Sequence, residues 1–324
     1  MTKWVRFDLR SFAVILLSLL LLLPNAGAWN SIGHMTVAYV AYDQLTPQKQ
    51  ARVIELLALN PNFNVWKSYI KAGTDPALQN RLLFAMAATW PDEIRAIPSY
   101  KLDGDRPPNT PEATANIGYT DMTQHDYWHF VDMPFSTDGT KLPVIPTPNA
   151  MTQIKALRAA LASDEPDALK SYDLVWLIHL TGDVHQPTHC TERVTKDAPR
   201  GDAGGNGVAL TGKAPNYNLH SYWDELLGVG YTKDYAMAVQ ASATLPTPDA
   251  SAVADLNEQD WVNESFQMAQ KDAYVLPIGP LTKPSTPYTI APGSAYATQA
   301  LSDVQKRVAL AGARLAGVLN AELK

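Results

Sequence analysis

Residues 168–189 read ALKSYDLVWLIHLTGDVHQPTH. From Leu174 to Leu180 apolar side chains fill most positions instead of forming one stripe. A helix that is apolar on most sides is a buried central helix. Into this run the chain places His179 and Asp183, at i and i+4. Residues so spaced share one helix face about a turn apart. Buried polar groups need partners, and an imidazole and a carboxylate on one face converge naturally on a metal ion. Zinc accepts both donors at about 2.0–2.2 Å. Pro187 is expected to end the helix near His185, after which the chain presents His189 from outside it.

The same spacing recurs downstream, where HSYWD sets His220 and Asp224 at i and i+4. Two further donors stand in distant segments, Asp92 in TWPDEIR and His129 in WHFVD. One His-x3-Asp pair is a weak signal, since short motifs arise by chance. Two such pairs, HQPTH and the further donors together point to a multinuclear metal site. Of the seven histidines, His34, His125 and His185 remain. His185 reads either as a residue orienting a ligand or as a polar helix end, and His125 reads as a surface residue.

His34 acquires meaning from what precedes it. Lys3, Arg6 and Arg10 lead into an apolar run from Phe12 to Leu23, then Pro24, and Ala26 and Ala28 satisfy the small-x-small rule. This is the pattern of a secretory signal peptide cleaved after Ala28; the run is short for a membrane span, which needs about 20 residues. Expected domains are therefore 1–28, a signal peptide, and 29–324. A free amino group at Trp29, with the first carbonyl, makes a five-membered chelate for a metal, and His34 would complete that site. The plainer reading makes Trp29 a hydrophobic plug.

Removing residues 1–28 leaves 296 of the 324 residues and moves the net charge from −6 to −8, because the segment carries three basic residues and one acidic. That balance disfavours a broad surface for duplex nucleic acid or anionic membranes. Bound metal ions would still attract a small anionic substrate. The single cysteine, Cys190, excludes an intrachain disulfide and reads as a small packing residue. With secretion, this favours a bacterial periplasmic or secreted protein.

Helical periodicity runs through 35–59, 79–97, 151–162 and 301–319, whereas strand signals are confined to a possible hairpin arm, NGVALTG at 206–212. Pro, Gly and Asp mark loops at roughly 98–118, 133–149, 191–207 and 274–295. No repeat or interdomain linker is evident. The expected fold is all-α: one mostly helical domain around the metal cleft, with at most a short β-hairpin.

The ordered motifs WxxxxH, WPD, WHFVD, HxxxDxxxxxH, GGN and NLHxxWD, from Trp29 to Asp224, resemble those of the zinc-dependent single-strand nucleases. That family comprises fungal secreted and plant bifunctional nucleases, in a superfamily with zinc phospholipases C. The resemblance implies three zinc ions: one held by Asp92, His129, His179 and Asp183, one by His189, His220 and Asp224, and one by Trp29, His34 and again Asp183. It implies hydrolysis of single-stranded DNA and RNA to 5′-phosphorylated products, and of 3′-nucleotides, because zinc lowers the pKa of bound water to about 7. Arg95 would contact phosphate through its bidentate fork; otherwise it is an ordinary surface charge. Phe130 would stack on an unstacked base, or else pack in the core. Asp132 would hydrogen-bond the base or steady the cationic residue. Gly204, Gly205 and Asn206 would line the pocket, or form a plain turn. Neither a stable protein partner nor a membrane anchor after cleavage is implied.

The rival enzyme is a zinc-dependent phospholipase C; Asp224, where that branch has glutamate, and the base-pocket residues favour the nuclease. A zinc-scavenging protein would not need Arg95 and a nucleotide pocket.

Overall fold

In a computed structural model, residues 29–324 are described, apart from residues 109, 213–216, 231–232 and 282–285. The signal peptide expected at 1–28 lies outside the described residues. Among the described residues the chain forms twelve α-helices. They are α1 (Ser31–Asp43), α2 (Pro47–Leu57), α3 (Phe63–Tyr69), α4 (Pro76–Ala87), α5 (Trp90–Glu93) and α6 (Ala150–Ala162), then α7 (Asp167–Asp183), α8 (Leu219–Asp224), α9 (Tyr235–Ser242), α10 (Ala250–Ala254), α11 (Glu258–Met268) and α12 (Ala295–Glu322).

The apolar stretch becomes α7, buried from Lys170 to Asp183. α2 and α6 pack on it, while α1 lies between α4 and α12. Trp90, Trp128, Trp176, Tyr119 and Tyr172 meet mostly edge-to-face on one flank, with ring centroids 5.0–6.4 Å apart. Such geometry suits the ring quadrupoles.

The helices that carry candidate donors start at side-chain caps. Asn30 Oδ1 accepts from the Ile32 and Gly33 N–H groups at the start of α1, and Asn218 Oδ1 from Ser221 at the start of α8. Each cap contributes about 0.5–2 kcal/mol and fixes where His34 and His220 begin their turns. The helical stretch expected at 35–59 divides at Thr46, whose hydroxyl caps α2 ahead of Pro47. That expected at 79–97 divides after Ala87, giving α5 and a 3₁₀ turn at Ile94–Ala96. Pro187 acts as expected: α7 ends at Asp183 and a 3₁₀ turn, Pro187–Cys190, carries His189.

The β structure differs from the expected hairpin. Two three-residue strands, β1 (Pro134–Ser136) and β2 (Glu192–Val194), pair in parallel. The 206–212 segment makes only isolated bridges, Ala209 with Asn218 and Leu210 with Tyr288. Parallel pairing joins segments distant in sequence, so no local turn signal announces it.

Candidate metal centre

His179 and Asp183 project from the buried end of α7, and around them gather three groups of donors: His34, His179 and Asp183; Asp92, His129 and His179; and His189, His220 and Asp224. Within each group the ligand atoms lie within 4.8 Å of one another. Asp183 stands at the junction. Its Oδ1 is 3.3 Å from His34 Nε2, while its Oδ2 is 3.2 Å from His129 Nδ1 and 3.4 Å from His179 Nε2. Asp92 Oδ1 is 3.8 Å from His179 Nε2 and 4.0 Å from His129 Nδ1. In the other group, Asp224 is 3.9 Å from His189 and 3.6 Å from His220.

The second ring nitrogen of several histidines is committed elsewhere, which fixes the tautomer. His179 Nδ1 donates to the Ala88 carbonyl at 2.7 Å, His189 Nδ1 to the His129 carbonyl at 2.8 Å, and His220 Nδ1 to the Gly204 carbonyl at 2.9 Å. Their Nε2 lone pairs therefore face the cluster. His129 Nδ1 and His179 Nε2 approach to 2.9 Å.

Electrostatics agree with this arrangement. Burial, with neighbouring His179, His189 and Arg95, holds His34 well below the usual imidazole range. Burial and the neighbouring cationic groups do the same for His129 and His189, and burial lowers His179 to about 4. Burial, with Asp92 nearby, pushes Asp183 and Asp224 well above the usual carboxylate range. Neutral imidazoles surround carboxylates that resist ionisation. His34 Nε2, His189 Nε2 and both Asp183 oxygens are buried without a hydrogen-bond partner. Orphaned buried polar atoms cost about 1–3 kcal/mol each, so such a concentration is unstable unless cations answer it. Mixed imidazole and carboxylate donors fit zinc.

Trp29 is fully buried beside this cluster, its indole donating to the Gly182 carbonyl at 2.8 Å. A side chain at Gly182 would strike His34 Nδ1 at 2.9 Å. The Trp29 side chain thus packs against the turn of α7 that carries Asp183.

Arg95 is not an ordinary surface charge. Its side chain is 8 % exposed, and it donates from Nη1 to Asp92 and from Nε to Asp126, at 2.8 and 2.9 Å. The carboxylate that steadies it is Asp126, not Asp132. Asp132 lies instead beside Arg106, Asp105 and Asp202, and burial raises it to about 7. Phe130 is half-buried, packed against the core edge next to the start of α6. The GGN loop is more than a plain turn. Gly204 and Gly205 adopt φ of +59° and +88°, and a Cβ on Gly204 would meet the Thr188 carbonyl at 2.4 Å. Glycine is therefore required where this loop supplies His220's acceptor. Asn206 turns its amide to the Ala203 carbonyl and toward Asn218.

Two histidines stand apart from the cluster. His125, expected at the surface, is buried and stacked on Trp128 at 3.7 Å. Asp121 meets its Nε2, and Asp103 lies 3.6 Å from its Nδ1. His185 lies just past the end of α7, held by the Thr181 carbonyl and by Arg314. Cys190 packs in the core, where burial raises its thiol to about 12. Gln186, which donates to Asp224 at 2.7 Å, had no role in the sequence reading; its place inside HQPTH was the available signal.

The S1/P1 nuclease family model matches residues 29–324. The chain belongs to the S1/P1 nuclease family. It is therefore a hydrolase acting on nucleic acids, from a family of zinc enzymes. The chain is similar to Endonuclease 3 and Endonuclease 4 of Arabidopsis thaliana, at 24 % and 26 % identity. In both cases the match covers 97 % of this chain and 95 % of the relative. Nuclease S1 of Aspergillus oryzae is 24 % identical over 65 % of this chain and 58 % of its own length. Family membership and the donor clusters agree on the kind of site.

Proposed function

We propose that residues 29–324, released by cleavage after Ala28, form a periplasmic or secreted zinc-dependent phosphodiesterase. It hydrolyses single-stranded DNA and RNA to 5′-phosphorylated products and removes phosphate from 3′-nucleotides. The observation that carries this reading is Asp183, whose two oxygens face two different histidine sets, as a carboxylate shared by two ions requires. The ligands of three zinc ions are then Asp92, His129, His179 and Asp183; His189, His220 and Asp224; and Trp29, His34 and Asp183. Among the described residues no helix is long and apolar enough to cross a membrane.

Zinc bound there supplies Lewis acidity and activates water near neutral pH. The chain's own residues do the rest. Arg95, fixed between Asp92 and Asp126, offers a guanidinium to a phosphate beside the cluster. Phe130 offers a ring face to a base already free of its stack, which gives single-strand preference without base-specific contacts. Asp132, neutral in part near pH 7, is able to donate as well as accept a hydrogen bond to that base. Gly204 and Gly205 bring backbone close to the nucleotide.

The test is zinc stoichiometry by mass spectrometry on protein beginning at Trp29, with cleavage of single-stranded DNA, RNA and 3′-AMP before and after chelation. Chelator-sensitive release of 5′-phosphorylated ends and of phosphate from 3′-AMP is expected. Three zinc ions with none of these cleavages would overturn the nuclease reading and point to a phospholipid phosphodiester.

A further inference from the structure

The turn before His129 contains a conformation that needs a reason. His125 has φ +52°, in the left-handed region that side chains other than glycine rarely adopt. Its ring is held on three sides: stacked on Trp128, 2.5 Å from Asp121 through Nε2, and 3.6 Å from Asp103 through Nδ1. Burial disfavours its charge, but Asp103 and Asp121 outweigh burial and raise the imidazole above its usual range. Asp103 has a second task, since its Oδ1 accepts from the Asp126 N–H at 3.1 Å. The 3₁₀ turn Asp126–Trp128 is closed by Trp128 N–H to the His125 carbonyl at 2.8 Å. Backbone strain of this kind persists only where surrounding contacts over-determine it, and it gathers at functional sites.

What the strained turn accomplishes is visible one residue on. It aims Asp126, 8 % exposed, at Arg95 Nε. Asp92 takes Nη1 of the same guanidinium. Two carboxylates on different nitrogens fix both the position and the plane of a rigid fork, whereas one would leave it free to roll. The plane matters because a guanidinium meets phosphate oxygens edge-on, through paired N–H groups.

We propose that Asp126 is a positioning residue that sets the plane of Arg95 toward the substrate phosphate, and that His125 and Asp103 hold Asp126 to that task. The proposal rests on the reading of Arg95 as a phosphate-binding group. It adds a positioning group outside the donor clusters, contributed by the loop at 98–118 and the turn that follows it.

A double-mutant cycle on phosphate release from a 3′-nucleotide separates positioning from mere structure. Asp126→Asn, nearly isosteric, and Asp126→Ala are expected to lower kcat/KM by about 10- to 100-fold, the scale of loss from a misplaced group. Zinc content and Tm should stay near wild type for Asp126→Asn. With Arg95→Ala as background, Asp126→Ala should cost nothing more, since the group it positions is gone. His125→Ala should show a smaller loss, likewise suppressed in that background. Losses that multiply in the double variant, or wild-type kcat/KM in Asp126→Asn, would overturn the proposal. An Arg95→Ala variant with full kcat/KM would instead overturn the phosphate role of Arg95, a result distinguishable from the first.

Discussion

Asp183 Oδ1 stands 3.3 Å from His34 Nε2, while its other oxygen is turned to His129 and His179. One carboxylate thereby joins α1 to the centre of the fold. Asp183→Asn should reduce zinc at two sites, and His34→Ala at one. Removing even an outer partner of a metal ligand costs about 10- to 100-fold, so the Asp183→Asn loss of activity should exceed that range. Zinc per chain, by mass spectrometry beside kcat/KM, reads both. Equal zinc loss in the two variants would contradict the bridge.

Trp29 offers a second check. Trp29 is buried with its indole on Gly182, and the proposed third ion uses its amino group and carbonyl. Protein that keeps residues ahead of Trp29 should bind one zinc fewer than protein beginning there. An extended form with full zinc content and full activity would remove the chelate from the proposal while leaving His34 and Asp183 in place.

Gln186 donates to Asp224 Oδ1 at 2.7 Å and accepts from the Thr188 N–H. Gln186→Leu leaves that carboxylate oxygen unoriented. Zinc affinity at the His189, His220 and Asp224 group should fall about 10- to 100-fold, read by chelator competition. The other two groups should keep their metal.

Phe130 carries the proposed base contact. Stacking on an aromatic contributes about 1–3 kcal/mol per base. Phe130→Ala should raise KM for 3′-nucleotides and single strands by roughly 5- to 150-fold, with less change in kcat. An unchanged KM would return Phe130 to core packing.

Away from the centre, Asp173 on α7 is buried, and its Oδ2 has no partner. Burial raises this carboxyl to about 7, against the Asn116 amide that favours its charge. Between the ordinary value of 3.8 and about 7, the folded chain keeps a proton that the unfolded chain has lost. The unfolded state then binds fewer protons, so this group's contribution to stability falls as pH rises through that window. Asp173→Asn should flatten that part of the curve, read as Tm against pH beside wild type.

The central helix was legible because its apolar run leaves no solvent face, and α7 follows it closely. The donors were legible because i, i+4 spacing on a helix is rigid geometry. Arg95's second partner was not: Asp132 follows the WHF motif, yet Asp126 makes the contact. Which carboxylate reaches a guanidinium depends on how a loop turns, and that turn hangs on a left-handed His125 with no glycine to announce it. The same applies to β1 and β2, whose parallel pairing joins segments nearly sixty positions apart.

By itself, then, the sequence determined a helical chain with buried histidines and aspartates at helical spacing, because local periodicity and chemistry act within a few residues. Only the tertiary structure decided that Asp183 divides its oxygens between two donor sets, that Gly204 anchors His220, and that His125 belongs to the core. Those outcomes depend on contacts between residues far apart in the chain, and packing selects such contacts while spacing does not.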